Sequence, residues 1–270
     1  LYPSKFDYVR VLSVDDALEK IASDEEAKFI AGGHSLVPLM KFRLATPSLL
    51  VDIGGLHDLS YIKDEGDHLA IGALTRHTEV EHSQLLQAEL PMLSYVASLV
   101  GDPQVRHRGT IGGSVAHGDG ASDLPAALLA LDASMIAVGP SGRREIPAKE
   151  FFKGFLETAL SPDELLVEIK VPKGVSSWSY KKFNRRAQDW AIVGVAAVKN
   201  GSTKVAFVNM GSSPLRSTGC EDALRSGATI EEAAERAAEG IEPPSDLNAS
   251  SEFRVHLAKV LTRRALEELS

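Results

Sequence analysis

Cysteine is almost missing from these 270 residues, Cys220 being the only one. A single thiol makes no internal disulfide, holds no iron–sulfur cluster and leaves little scope for a thiolate zinc site, and it fits a reducing, cytoplasmic compartment. Basic charge is in short supply too. Lys and Arg number 29 against 37 Asp and Glu, a formal net charge of −8, which argues against a general affinity for nucleic acid or anionic membrane, since both reward a basic surface. No apolar run approaches the ~20 residues a membrane helix needs. No basic segment followed by an apolar stretch opens the chain, so no leader is expected; the chain opens on Leu1 rather than methionine, and residues ahead of it are allowed for. Internal repeats and low-complexity segments are absent as well. What remains is a 44% hydrophobic chain, ordinary for a globular protein of one large or two to three small domains, whose partners are expected among proteins and small molecules.

The most telling stretch is Ala31-Gly32-Gly33-His34-Ser35-Leu36-Val37-Pro38. It follows the short apolar run Lys28-Phe29-Ile30, which reads as a buried strand, and precedes a helical pattern from Leu39. Glycine tolerates positive φ and lets backbone come close to a ligand. Ser35 suits an N-cap, Pro38 fits a first helical turn, and the free N–H groups of such a turn suit an anion, so the chemistry suggested is phosphate binding. The same grammar recurs at Thr110-Ile111-Gly112-Gly113-Ser114, and two such turns could hold one pyrophosphate from two sides. Arg106 and Arg108 either add positive charge there or brace the loop. Asp123 either caps the helix that runs to Leu131 or accepts ribose hydroxyls. His34 and His117 have no third ligand at useful spacing, so no metal site is expected.

Periodicity places a helix from about Ser13, strands at 28–30, 49–53, 59–62 and 68–74, and helices over about 78–86 and 90–100. Glu164 to Val171 reads as a strand, and Pro172-Lys173-Gly174 as a boundary. Beyond it, the alternation from Trp190 to Val198 and the run 205–208 predict adjoining strands joined at Asn200-Gly201, followed by helices near 217–226, 230–239 and 251–268.

With these residues in view, AGGHSLVPLMKFR, PQVRHRGTIGGSVAHGDGASDLPAALLALDA and FFKGFLETALSPDELLVEIKVP resemble the flavoprotein (medium) subunits of molybdenum hydroxylases, of the carbon monoxide dehydrogenase type. The resemblance runs in order through nearly the whole chain. It implies an α+β architecture: a vanillyl-alcohol-oxidase-type FAD-binding domain at 1–174, with subdomains of about 1–54 and 55–174, and a small C-terminal α+β domain at 175–270. It also implies noncovalent FAD in this chain, a small partner subunit with two [2Fe-2S] clusters, and a large molybdopterin subunit, assembled as a dimer of heterotrimers.

Carried over by position, Ala31 to Pro38 and Thr110 to Ser114 would surround the FAD pyrophosphate, and Asp123 would meet the ribose. The family's asparagine is Ser114 here, and Gly120 stands where proline is common. One of Leu165 and Leu166 would touch a cofactor ring, core packing being the other role for each. Lys181 would lie near the flavin, or else be a solvated edge-strand lysine. Trp190 would shield or stack on the flavin, or else sit in the core. The chain would then pass electrons from the iron–sulfur subunit to a terminal acceptor, with no residue of its own acting as a general base. The substrate, whether carbon monoxide, a purine, an aldehyde or an N-heterocycle, would be chosen in another chain. Two other readings stay open: a self-sufficient flavin oxidase or reductase of the same fold, and a nucleotide-binding assembly protein without redox chemistry.

Overall fold

The computed structural model describes residues 1–270 as an α+β protein built on three sheets of three or more strands and one two-stranded ribbon. The first sheet is parallel, in the order Asp7–Arg10, Leu49–Asp52, Lys28–Ile30. It is covered by the helix Val14–Ala22, whose Ser13 hydroxyl accepts from the Asp16 N–H and whose Ala17 and Ile21 are buried. The glycine loop leaves the C-terminal end of the edge strand Lys28–Ile30, directly after Ile30.

The second sheet is antiparallel and five-stranded, ordered Ile62–Asp64, His68–Gly72, Leu165–Pro172, Ser134–Gly139, Gly142–Pro147. A register shift lies between Leu166 and Glu168 where that strand meets Ser134–Gly139. The helix Asp123–Ala130 is buried along all eight residues, as a helix apolar on every side must be. The third sheet is an antiparallel meander, Ser177–Phe183, Val193–Asn200, Ser202–Val208 and Leu215–Arg216. Both faces of its middle strands are covered. Ala196, Val198, Ala206 and Val208 join the large core that also holds Leu69, Leu124 and Ile169, whereas Val193, Val195, Val205 and Phe207 pack with Leu257, Leu261 and Leu266 of the helix Ser251–Glu268.

Several elements differ from the pattern reading. The helix expected over 78–86 is two, His77–His82 and Gln84–Glu89, because Ser83 takes an extended conformation and its hydroxyl accepts from the Leu86 N–H. The strand expected from Trp190 starts at Val193, and residues 184–190 form a loop in which Gln188 has φ 64°. Pro103–Arg108 is a helix, capped by the Asp102 carboxylate. No helix is long and apolar enough to cross a membrane.

Candidate functional site

One cleft of ≈ 820 Å³ dominates the molecule, within the range of small-molecule and cofactor sites. Its walls come from the glycine loop, the Thr110 helix start, the N-terminal end of the Leu165–Pro172 strand, and the loop 186–190. Each of the three sheets therefore contributes, directly or through the loop that leaves it.

The glycine loop is shaped for close approach. Gly33 has φ +77°, and a Cβ on Gly32 would stand 2.5 Å from the Arg108 carbonyl oxygen and 2.9 Å from the Gly109 Cα, so only glycine lets the two loops touch. The N–H groups of Gly32, Gly33, His34 and Ser35 donate to no other backbone group. Ser35 stands at the N-cap of the helix Leu36–Lys41, yet its backbone is already helical and its hydroxyl makes no capping bond. Four adjacent donors are thus left for something outside the fold, and an anion is what such a set attracts.

The second glycine pair behaves differently. It lies inside the helix Ile111–His117 rather than in a turn, with Thr110 as N-cap accepting from the Gly113 N–H at 3.0 Å. Ile111 donates to Thr75, Gly112 to Ala73 and Ser114 to Thr110, so these amides are already committed. Gly112 is glycine for packing, since a Cβ there would stand 2.5 Å from Ala73. This side offers the Thr110 N–H, the Ser114 side chain and a flat glycine surface, while the first loop carries most of the open donors.

Of the residues singled out from the sequence, Ala31, Gly32, Gly33, His34, Ser35, Leu36, Thr110, Gly112, Gly113, Ser114, Asp123, Leu165, Leu166 and Trp190 meet on the walls of this cleft. Val37 and Pro38 instead face a smaller hollow of ≈ 380 Å³ behind the loop, together with Arg108, and Ile111 is wholly buried. Arg106 is turned away, paired with Glu81 at 2.7 Å. Lys181 does not reach the cleft. Strand pleating sends its side chain to Glu268 on the last helix, and its neighbour Lys182 takes the cleft side. Trp190 is 58% exposed at the rim, not a core strand residue. Leu165 and Leu166 are both buried, packing in different cores while sharing the cleft wall.

Two cleft residues were missed. Lys182 donates to the Asp123 carboxylate at 2.8 Å, and Tyr180 donates to the other oxygen at 2.6 Å. Burial pushes the Asp123 carboxyl up, and the ammonium and phenol pull it back. The alternation of Trp178, Tyr180 and Lys182 puts Lys182 on the strand face opposite Lys181, and packing brings that face to the cleft. His77 is the second. It is almost fully buried with Nδ1 lacking any partner, and burial, with His34, Arg106 and Arg76 adding to it, lowers its pKa to about 4. Burial likewise lowers His117. No three metal-ligating side chains come together anywhere.

Open amide donors at one end, a buried carboxylate, apolar walls and an exposed indole at the mouth thus share one cleft. The chain belongs to the flavin-binding medium subunits of molybdenum hydroxylases: residues 4–174 match the FAD binding domain in molybdopterin dehydrogenase, and residues 178–269 the CO dehydrogenase flavoprotein C-terminal domain. Within that family it is 39% identical to the carbon monoxide dehydrogenase medium chain of Hydrogenophaga pseudoflava, over 98% of this chain and 97% of that one. It is also 39% identical to the 6-hydroxypseudooxynicotine dehydrogenase complex subunit alpha of Paenarthrobacter nicotinovorans, over 98% and 94%. The solved carbon monoxide dehydrogenase from Hydrogenophaga pseudoflava, in a form lacking the Mo-pyranopterin moiety, matches with a TM-score of 0.94 at 38% identity, covering 100% of this chain and 98% of that one. Its identity to two relatives named for different substrates is thus equal.

Proposed function

We propose that this chain carries FAD in a molybdenum hydroxylase of the carbon monoxide dehydrogenase type, taking electrons from the [2Fe-2S] clusters of a small partner subunit and passing them to a terminal acceptor. A large molybdopterin subunit would complete the heterotrimer, two of which would pair, in the cytoplasm. We divide the chain at residue 174, with a cofactor unit of two subdomains, 1–54 and 55–174, and a C-terminal unit from 175. The observation that carries the reading is the row of uncommitted N–H groups at Gly32 to Ser35 beside a buried carboxylate in one large cleft.

The residues present fit the cofactor. The four N–H groups and the surface left bare by Gly112 and Gly113 suit a diphosphate, and Asp123 suits ribose hydroxyls because each of its oxygens keeps a free lone pair. Leu165, Leu166 and Ile30 offer apolar wall to a ring system, and Trp190 an aromatic face at the rim. Bound FAD supplies the redox chemistry, exchanging electrons with one-electron and two-electron partners. The chain's own residues bind it, orient it and exclude water from its diphosphate.

The test is the visible spectrum of the purified chain before and after adding FAD and removing the excess, with the cofactor identified. Retained FAD that bleaches only when a reduced iron–sulfur partner is supplied supports the relay. Turnover by the chain alone would point to a self-sufficient oxidase, and binding of an adenine nucleotide without flavin would point to an assembly protein.

A further inference from the structure

The buried carboxylate in the cleft is held from across the molecule. Asp123 opens the helix Asp123–Ala130 in the cofactor unit, whereas both of its donors stand on the strand Ser177–Phe183 of the C-terminal unit. Lys182 and Asp123 side chains are 8% and 6% exposed, making this the most buried ion pair of the protein. Lys182 also donates to the Leu99 carbonyl at 3.0 Å, so its ammonium is fixed by two acceptors. Tyr180 is fully enclosed behind it, edge-on to Tyr95 with ring centroids 6.5 Å apart.

Such an arrangement is costly as a mere staple. Burying two charges costs several kcal/mol per ion before their attraction repays it, and hydrophobic replacements are often as stable. What it does supply is two donors that favour the ionised carboxylate against the burial that raises its pKa. Burial alone would favour the neutral acid. Lys182 and Tyr180, the titratable groups that act on Asp123, both favour the ionised form, and Tyr180 stays protonated because burial and Asp123 push its own pKa far up. Each carboxylate oxygen spends one lone pair on a donor from the strand and keeps the other, and Asp123 lines the cleft.

We propose that Lys182 and Tyr180 are positioning residues that hold Asp123 as a fixed, ionised acceptor for the ribose hydroxyls of the cofactor, so that the C-terminal unit completes this corner of the site. The inference rests on the FAD reading. Without Lys182, one oxygen loses its charged donor, protonation of the carboxyl becomes easier, and Tyr180 alone ties it to the strand.

The experiment measures the FAD dissociation constant of the full chain by flavin fluorescence between pH 6 and 9, for the wild type, Lys182→Met, Lys182→Arg and Asp123→Asn. Wild-type affinity should be nearly flat. Lys182→Met should bind at least tenfold more weakly near pH 6.5 and regain affinity as the pH rises, because Asp123 has lost the ammonium that favours its ionised form. Lys182→Arg should return toward wild type, and Asp123→Asn should be weak at every pH. If Lys182→Met does not fold, Tyr180→Phe should show the same slope in smaller measure. A Lys182→Met or Tyr180→Phe profile that stays parallel to wild type at every pH overturns the positioning role while leaving the FAD reading intact. A wild-type chain that binds no FAD at any pH overturns the FAD reading itself, and the proposal with it.

Discussion

At the scale of single residues, His77 carries an acid liability that the fold tolerates. Its imidazole is enclosed, lacks a partner at Nδ1 and has its pKa lowered to about 4, against about 6.5 in an unfolded chain. Between those values the unfolded state binds a proton that the native state refuses. Stability therefore falls as the pH drops from about 6.5 toward about 4, by at most roughly 1.4 kcal/mol per pH unit, and is unaffected by this group above about 7. Urea denaturation of the cofactor-free chain at pH 5 and pH 7 should show a smaller difference for His77→Gln than for wild type. Equal differences would mean that the imidazole is not held neutral. Close packing explains the burial: Gly109 lies so near the ring that a Cβ there would stand 2.7 Å from His77 Cδ2.

At the scale of elements, the Ile111–His117 helix depends on its cap. Thr110 is 2% exposed, and its hydroxyl closes the first turn onto Gly113, in a helix with two glycines that gain nothing from propensity. Thr110→Ala should cost about 1 kcal/mol. In calorimetry of the cofactor-free chain that is a melting point lower by roughly 2–4 °C, with Thr110→Ser close to wild type. The elements also mark how far the sequence could be read. The strand and glycine turn from Lys28 to Gly33 were legible because backbone conformation at Gly33 depends on local chemistry, whereas the helix expected from Leu39 begins at Leu36 without a Ser35 cap. The Pro103–Arg108 helix was legible in principle, its Asp102-Pro103 start being a strong N-terminal signal. The choice between Lys181 and Lys182 was not, because neighbouring strand residues face opposite ways and only tertiary packing says which face meets the cleft. Trp190 misled for a related reason: it precedes an apolar strand without belonging to it, and a loop bend at Gln188 turns it outward.

At the scale of the whole molecule, the two family matches meet between residues 174 and 178, yet packing runs across that point. The helix Asp123–Ala130 lies against the C-terminal sheet, and Ala196, Val198, Ala206 and Val208 belong to the same core as Leu124 and Leu128. Arg216 and Lys204 of that sheet also reach back to Asp132. A fragment ending at Gly174 should therefore expose a broad apolar face, bind a hydrophobic dye and self-associate in gel filtration, whereas a monomeric fragment with a sharp melting transition would show the units to be independent. The tie between Glu268 and the strand Ser177–Phe183 adds a matter of timing. Glu268 accepts from Ser179 and Lys181 on the face of that strand opposite Lys182. On the ribosome, the glycine loop emerges long before this anchor, and the strand that carries Lys182 gains its backing only once residue 268 has been synthesised and packed. On the proposed reading flavin loading should follow translation, since a nascent chain stalled short of the last helix would offer its amides without the strand braced behind Asp123.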